Sequence, residues 1–123
     1  MKLVKAKPVK AKAPGLVAIV AYDDLRTFEY AIAAEIFALV RPTLGVKWYD
    51  TIVVSPDRGR LKGIGGVEIA VNAPFERIAE AQTVVLPGWR DVSNPPPKKL
   101  LDAIRAAADR GARLVSICSG AFV

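Results

Sequence analysis

Four short apolar runs are the feature that most constrains the fold of this chain. They span residues 16–22, 51–55, 83–87 and 113–117, and in each run apolar, often β-branched residues follow one another instead of alternating with polar ones. Strands with this pattern are covered on both faces, as in a parallel sheet between two layers of helices. We therefore predict an α/β protein in which these runs form a mostly parallel sheet.

The segment after the first run predicts a helix. Residues 27–40 are rich in alanine, and Pro42 and Gly45 follow them as stop signals. The apolar positions go nearly all the way round this helix. We therefore expect it to be buried on more than one side, as at a subunit interface.

A second helix is predicted before the fourth run. Ser93 or Asn94 is its expected N-cap, three prolines stand in its first turn, and Gly111 provides a left-handed stop. Residues 73–81 predict a short connecting helix, and residues 58–71 predict a glycine-rich turn with a β-hairpin or an edge strand. This order of elements predicts a three-layer sandwich with a doubly wound, flavodoxin-like sheet that is incomplete at the C-terminus.

Charge and composition limit the classes of function. The net charge is +6 over 123 residues, but five lysines lie within the first 12 residues, and the remainder has 13 basic against 12 acidic residues. We expect residues 1–14 to be a disordered basic tail, either simply solvated or in weak contact with nucleic acid or a membrane surface. The single cysteine excludes an intrachain disulfide and fits a cytoplasmic protein. No apolar run reaches the ~20 residues of a membrane span.

Three loops are expected to meet at one edge of the sheet. Residues 21–24, 87–91 and 118–120 each follow a predicted strand. Ligands of doubly wound sheets bind at the carboxyl ends of the strands. We therefore look for the functional site in these loops, which we call the rim.

Cys118 is the first candidate at the rim. It lies between a predicted strand and a predicted helix start, followed by the small residues Ser119 and Gly120, which is the arrangement of a nucleophile elbow. The start of a helix favours the thiolate. The alternative is a buried cysteine that acts as a small hydrophobic residue. The chain has no histidine, so a Cys-His pair is excluded.

The second candidate is the loop that begins with Pro87. The amides of Gly88 and Trp89, together with that of Ser119, could form an oxyanion-type pocket. Trp89 would form a wall of this pocket, and Arg90 could bind a carboxylate or phosphate. The alternative is an ordinary loop, with Trp89 packed on the surface and Arg90 in solvent.

Glu29 is the third candidate, in the first turn of the first helix. Its carboxylate is either stabilised by the helix dipole or turned inward, where it could donate a hydrogen bond to the thiolate. We find no metal-ligand spacing and no phosphate-binding glycine loop, and we expect no metal and no cofactor.

Three motifs together resemble a known family. "VAYDDLRTFEYAIAAEIFALVRPTLGVKWYD", "VVLPGWRD" and "LVSICSGAFV" are similar to the class I glutamine amidotransferase-like superfamily, in its PfpI-type branch. The chain is still more similar to the N-terminal domain of AraC/XylS-type transcriptional regulators of the FtrA kind. The resemblance implies Cys118 as the elbow residue and Glu29 as the acid beside it. It also implies amide donors at Gly88, Trp89 and Ser119.

The resemblance also implies what should follow residue 123. In the family the domain continues beyond the elbow, and in FtrA-like regulators a helix-turn-helix domain then binds DNA. We therefore expect residues 15–123 to be the first part of one such domain, from a truncated product or a fragment. An apolar surface should be exposed beside the strand of Cys118, hidden by self-association or by a missing segment.

Three functions are compatible with these residues. The first is a sensing domain of an AraC-type regulator, binding a small metabolite near the elbow as a homo-oligomer, with DNA bound only through a separate domain. The second is a PfpI-type cysteine enzyme, a hydratase or amidase. The third is a redox or stress sensor that oxidises Cys118. We expect no catalysis by this chain alone and no membrane partner.

Overall fold

The four apolar runs form one parallel sheet. The structure is a computed structural model that describes residues 14–123, so almost all of the predicted basic tail lies outside the described residues. The strands are β1 (Leu16–Val20), β2 (Asp50–Val54), β3 (Leu61–Lys62), β4 (Glu68–Ile69), β5 (Thr83–Pro87) and β6 (Arg113–Ile117). In the parallel sheet, β2, β1, β5 and β6 lie side by side in that order, and every neighbouring pair is parallel.

Helical elements cover both faces of the sheet. Successive side chains of a strand point to opposite faces, so Val17 and Ile19 of β1 pack with Ala33, whereas Ala18 and Val20 pack on the opposite side. Both faces of β1 and β5 are buried. The predicted α/β three-layer architecture is therefore confirmed.

The first helix begins where the sequence predicts it. α1 (Thr27–Ala33) continues into a π-helical turn, Ala34–Ala38, and the chain leaves the helix at Leu39. Its inner face packs on β1 and β5, while Phe28 on the outer face is 75% exposed. Within one chain the helix is thus buried on one side only, and burial of the other side at a subunit interface stays a prediction.

The second helix begins later than predicted. α2 (Lys98–Asp109) has Pro97 at its N-cap position, so the prediction of Ser93 or Asn94 as N-cap is wrong. A residue before proline is held out of the helical conformation, and three consecutive prolines delay the helix until the last of them has passed. The amide of Ser93 donates instead to Asp91 Oδ1 at 2.8 Å. Gly111, at φ +85°, ends the helix as predicted.

The connecting segments follow the sequence closely. β3 and β4 form the expected antiparallel hairpin, and Phe75–Glu80 is a short 3-10 helix within the predicted connecting segment. Further single 3-10 turns are Pro42–Leu44 and Ile64–Gly66. The last element is a 3-10 helix, Cys118–Phe122.

The two edges of the parallel sheet differ. At the β2 edge, the amide of Val53 donates to Asn72 Oδ1 (2.7 Å), and the amide of Asn72 donates to the Val53 carbonyl (3.2 Å). At the other edge, β6 pairs with β5 alone among residues 14–123, and the backbone groups of Leu114 and Ser116 point away from β5. Leu114 is 42% exposed, so an apolar surface lies open beside the strand of Cys118, as expected.

Candidate functional site

The rim loops meet as predicted. The Tyr22 hydroxyl, after β1, donates to the Pro87 carbonyl at the end of β5 (2.8 Å). The Trp89 amide, after β5, donates to the Ser119 hydroxyl oxygen after β6 (2.9 Å). Direct hydrogen bonds thus join the ends of β1, β5 and β6.

Cys118 stands at the corner between β6 and the last 3-10 helix. Its φ is +54°, a left-handed conformation that costs a residue with a Cβ about 1–2 kcal/mol. The residue is exposed, so the alternative of a buried cysteine is wrong. Strain of this kind persists only where the surroundings impose it, and it is common at functional sites. The catalytic or binding role of the thiol stays a prediction.

Gly120 makes this corner possible. A Cβ on Gly120 would lie 2.0 Å from the carbonyl oxygen of Leu86 on β5, a distance that no side chain could accept. The residue is fully enclosed between the corner and β5. Only glycine therefore allows the last helix to approach the neighbouring strand this closely.

The amides expected to bind an anion are engaged within the protein. The amide of Gly88 donates to the Ile117 carbonyl (2.9 Å), and that of Trp89 donates to the Ser119 hydroxyl. The sequence did not reveal these acceptors, because both lie about 30 residues further along the chain. Of the three predicted donors, the Ser119 amide is left, in the first turn of the last helix, where amides have no intrahelical acceptor.

Trp89 is a buried part of the rim. It is 3% exposed, its ring centroid lies 4.9 Å from that of Tyr22, and its indole N–H donates to the Asn94 carbonyl (3.2 Å). The alternative of a tryptophan packed on the surface is therefore wrong. Its ring supports Arg90, whose guanidinium carbon lies 4.7 Å from the ring centroid.

Arg90 already holds a carboxylate, that of Asp57. The pair lies at the rim, with side chains 28% and 19% exposed, so Arg90 is not simply in solvent. Arg90 Nη1 also donates to the Asp23 carbonyl (3.2 Å). Asp57 was not predicted from the sequence, although it follows β2 and therefore lies at the same edge of the sheet as the other rim loops.

Glu29 is half-buried near Tyr22. Burial raises the pKa of Tyr22 to about 12, and the negative charge of Glu29 contributes in the same direction, while nearby Arg26 opposes it. Among residues 14–123, the Glu29 carboxylate makes no hydrogen bond to Cys118. The expected bond from Glu29 to the thiol is therefore not formed in this structure, and the role of Glu29 stays a prediction.

Neither a metal-binding cluster nor a membrane-spanning helix is found among residues 14–123. No three acidic or cysteine side chains of this part of the chain are grouped so that they could hold a metal ion. No helix in it has both the length and the apolar character needed to cross a membrane.

Solved structures share this fold at low sequence identity. A Vibrio parahaemolyticus protein assigned as a transcriptional regulator matches with a TM-score of 0.73 and 22% identity, over 87% of this chain and 58% of that one. An AraC family transcriptional regulator from Pseudomonas putida matches with a TM-score of 0.68 and 18% identity, over 88% of this chain and 67% of that one. A DJ-1 superfamily protein from Agrobacterium tumefaciens matches with a TM-score of 0.66 and 21% identity, over 87% of this chain and 55% of that one. The chain thus spans between 55% and 67% of the length of these proteins.

The sequence comparisons agree with the fold. No curated protein matches the chain. The family profile described as DJ-1/PfpI matches residues 16–123, which include all six strands and the corner at Cys118. This chain therefore belongs to the DJ-1/PfpI family.

Proposed function

We propose that this chain is the sensing domain of an AraC-type transcriptional regulator and that it binds a small metabolite at the rim beside Cys118. The observation that carries the proposal is the exposed thiol at a strained corner, surrounded by loops from three strands. The fold of an AraC family regulator from Pseudomonas putida supports it. DNA would be bound through a separate helix-turn-helix domain, and the protein would act in the cytoplasm.

The ligand class we propose is a small anion. Arg90 uses only Nη1 for its contacts with Asp57 and Asp23, and its Nε and Nη2 donate to no acceptor among residues 14–123. A guanidinium with two adjacent N–H groups of this kind matches a carboxylate or phosphate. Trp89, packed beneath it, fixes the plane in which those donors lie.

Fluorescence of Trp89 tests the proposal. In a Trp48→Phe background, Trp89 is the only tryptophan. We expect a saturable change with succinate or inorganic phosphate and none with neutral succinamide. Arg90→Gln should abolish the response, whereas Arg105→Gln, on the exposed side of α2, should keep it. No saturable response to either anion, or an equal response in Arg90→Gln, would contradict the proposal.

A cysteine enzyme is the second candidate, favoured by the positive φ and exposure of Cys118. It would be a hydratase or amidase, in which Glu29 manages the proton. A redox sensor would use the same exposed thiol. Both require a reactive thiolate, so iodoacetamide should alkylate Cys118 at pH 7 faster than it alkylates free cysteine. A rate equal to or below that of free cysteine would count against both.

A further inference from the structure

One ion pair of the described chain differs from the others in its burial. Asp57 and Arg90 are both less than one third exposed, whereas every other ion pair among residues 14–123 has at least one partner that is about half exposed or more. Exposed pairs contribute little because water and salt screen them. A partly buried pair with further hydrogen bonds holds its geometry more firmly.

The Asp57 carboxylate is the point where three loops are joined. Its Oδ2 accepts from the Asp23 amide (2.8 Å), after β1, and from Arg90 Nη1, after β5. Arg90 Nη1 closes the triangle by donating to the Asp23 carbonyl (3.2 Å). Asp57 itself is fixed after β2, because its amide donates to the Ser55 hydroxyl oxygen (3.0 Å).

The same network continues to the hairpin and to the corner of Cys118. The Lys62 amide on β3 donates to Asp23 Oδ1 (3.0 Å). On the other side, the guanidinium of Arg90 lies over Trp89, whose amide donates to the Ser119 hydroxyl oxygen (2.9 Å). That hydroxyl donates back to the Trp89 carbonyl (3.3 Å). A short chain of contacts therefore leads from Asp57 to the residue next to the thiol.

We infer that Asp57 is a positioning residue for the elbow: through Arg90 it holds Trp89 and Ser119 in place, and so sets the orientation of the Cys118 thiol. Loss of Asp57 frees Arg90 from the Asp23–Asp57 triangle, and the Trp89 loop then loses its side support. The inference deepens the proposed function, because it concerns the same rim. It does not need a ligand, however, and is tested on the thiol alone.

The test is a double-mutant cycle on the rate of Cys118 alkylation by iodoacetamide at pH 7. The variants are Asp57→Ala, Arg90→Ala and the double variant, with Asp57→Asn as a fourth. Positioning predicts that both single changes alter the rate in the same direction, by about three- to tenfold, and that the double variant resembles either single one. Asp57→Asn, which keeps an acceptor for the Asp23 amide, should lie between the wild type and Asp57→Ala.

A field effect without positioning gives a different pattern. Removing a negative charge near a thiolate and removing a positive one change its stability in opposite directions. Opposite changes in the two single variants would therefore overturn the inference, as would rates within twofold of the wild type in both.

Folding is controlled in the same experiment. A urea titration of each variant shows that the rates are measured on folded protein, and Asp57→Asn remains usable if Asp57→Ala fails to fold.

Lys98→Ala and Asp102→Ala break an exposed ion pair on α2 (2.5 Å) and should leave the alkylation rate unchanged. A similar rate change in these control variants would also overturn the inference. The proposed sensing can fail in the fluorescence titration while this cycle still shows coupling, so the two failures are distinguishable.

Discussion

The absence of a Cβ at Gly120 allows the elbow to pack directly against β5. The strand-to-helix corner brings this residue so close to β5 that the Leu86 carbonyl occupies the place of any side chain. Packed interiors cannot absorb such an overlap without backbone movement. The corner and the sheet are therefore one structural unit.

A single methyl group at this position tests that unit. We expect Gly120→Ala to lower the free energy of unfolding by about 3 kcal/mol, because the backbone of β5 or of the last helix must move. The control is Gly59→Ala, where φ is +80° but nothing lies within 4 Å of the new Cβ, so only about 1 kcal/mol should be lost. Urea unfolding measures both, and an equal or smaller loss in Gly120→Ala would contradict the packing argument.

Tyr22 should make the free energy of unfolding depend on pH in the alkaline range. Its pKa is raised from 10.0 to about 12, mainly by burial, so the folded state favours the neutral phenol that donates to the Pro87 carbonyl. A raised pKa in the folded state stabilises the fold fully below pH 10 and loses that contribution as the pH rises toward 12.

The measurement is the free energy of unfolding at pH 8, 10 and 11.5. Wild type should lose more stability than Tyr22→Phe over this range, although the variant starts about 1 kcal/mol lower because it lacks the hydrogen bond. Tyr30→Phe is measured beside it. Because burial also raises the pKa of Tyr30, this variant should likewise lose less stability at high pH than wild type. Parallel curves for wild type and Tyr22→Phe would show that Tyr22 ionises in the folded state as it does in the unfolded one.

The geometry of the corner could be predicted because its signal is local, whereas the roles of its residues stay predictions. The tight turn at Cys118 and the close packing at Gly120 were predicted because a strand, a cysteine and small residues follow one another directly in the sequence. Asp57 was missed because its partner Arg90 is 33 residues away and the contact exists only after folding. The acceptors of the Gly88 and Trp89 amides were missed for the same reason.

At the scale of elements, continuous apolar runs located the strands of the parallel sheet within one or two residues. The start of α2 was missed because the cap signals at Ser93 and Asn94 precede three prolines, and the prolines dominate. The predicted length of the first helix was nearly correct. Its change to a π-helical turn at Ala34 was not predicted, because it depends on packing that the sequence pattern does not contain.

Asn72 tests how the open edge of β2 is stabilised, because it bonds to both backbone groups of Val53 there. Replacing it with alanine removes the acceptor of the Val53 amide (2.7 Å) and should cost about 1 kcal/mol. Asn72→Asp keeps an acceptor oxygen and should lose less. Thermal unfolding measures the difference, and equal losses in both variants would show that this hydrogen bond contributes nothing.

At the scale of the molecule, half of the twelve exposed large apolar side chains among residues 14–123 belong to one stretch of the chain. Six large residues between positions 28 and 46 are 47% to 75% exposed: Phe28, Ile36, Leu39, Val40, Leu44 and Val46. We call this the α1 surface. Phe28 and Ile36 of this set line one shallow groove together with Ala31 and Ile32. Large exposed apolar patches commonly mark interaction sites.

We predict that the chain self-associates through the α1 surface. Sedimentation velocity at tens of micromolar should show a dimer or larger species, and Phe28→Glu with Val40→Glu should shift it toward monomer. Val92→Glu changes a residue of similar exposure, 58%, outside the α1 surface and should have no effect. A sharp wild-type monomer with cooperative melting would contradict the prediction.

The unequal edges of the sheet limit how copies could add to one another. Because Asn72 already bonds to the outward backbone groups of Val53, a second copy would extend the sheet of residues 14–123 more readily at Leu114 and Ser116. Two copies joined there would each use their open edge on the other, and the edges left outside would be those of β2, which Asn72 interrupts at Val53. Growth by strand addition would therefore stop at a pair instead of continuing into a fibre.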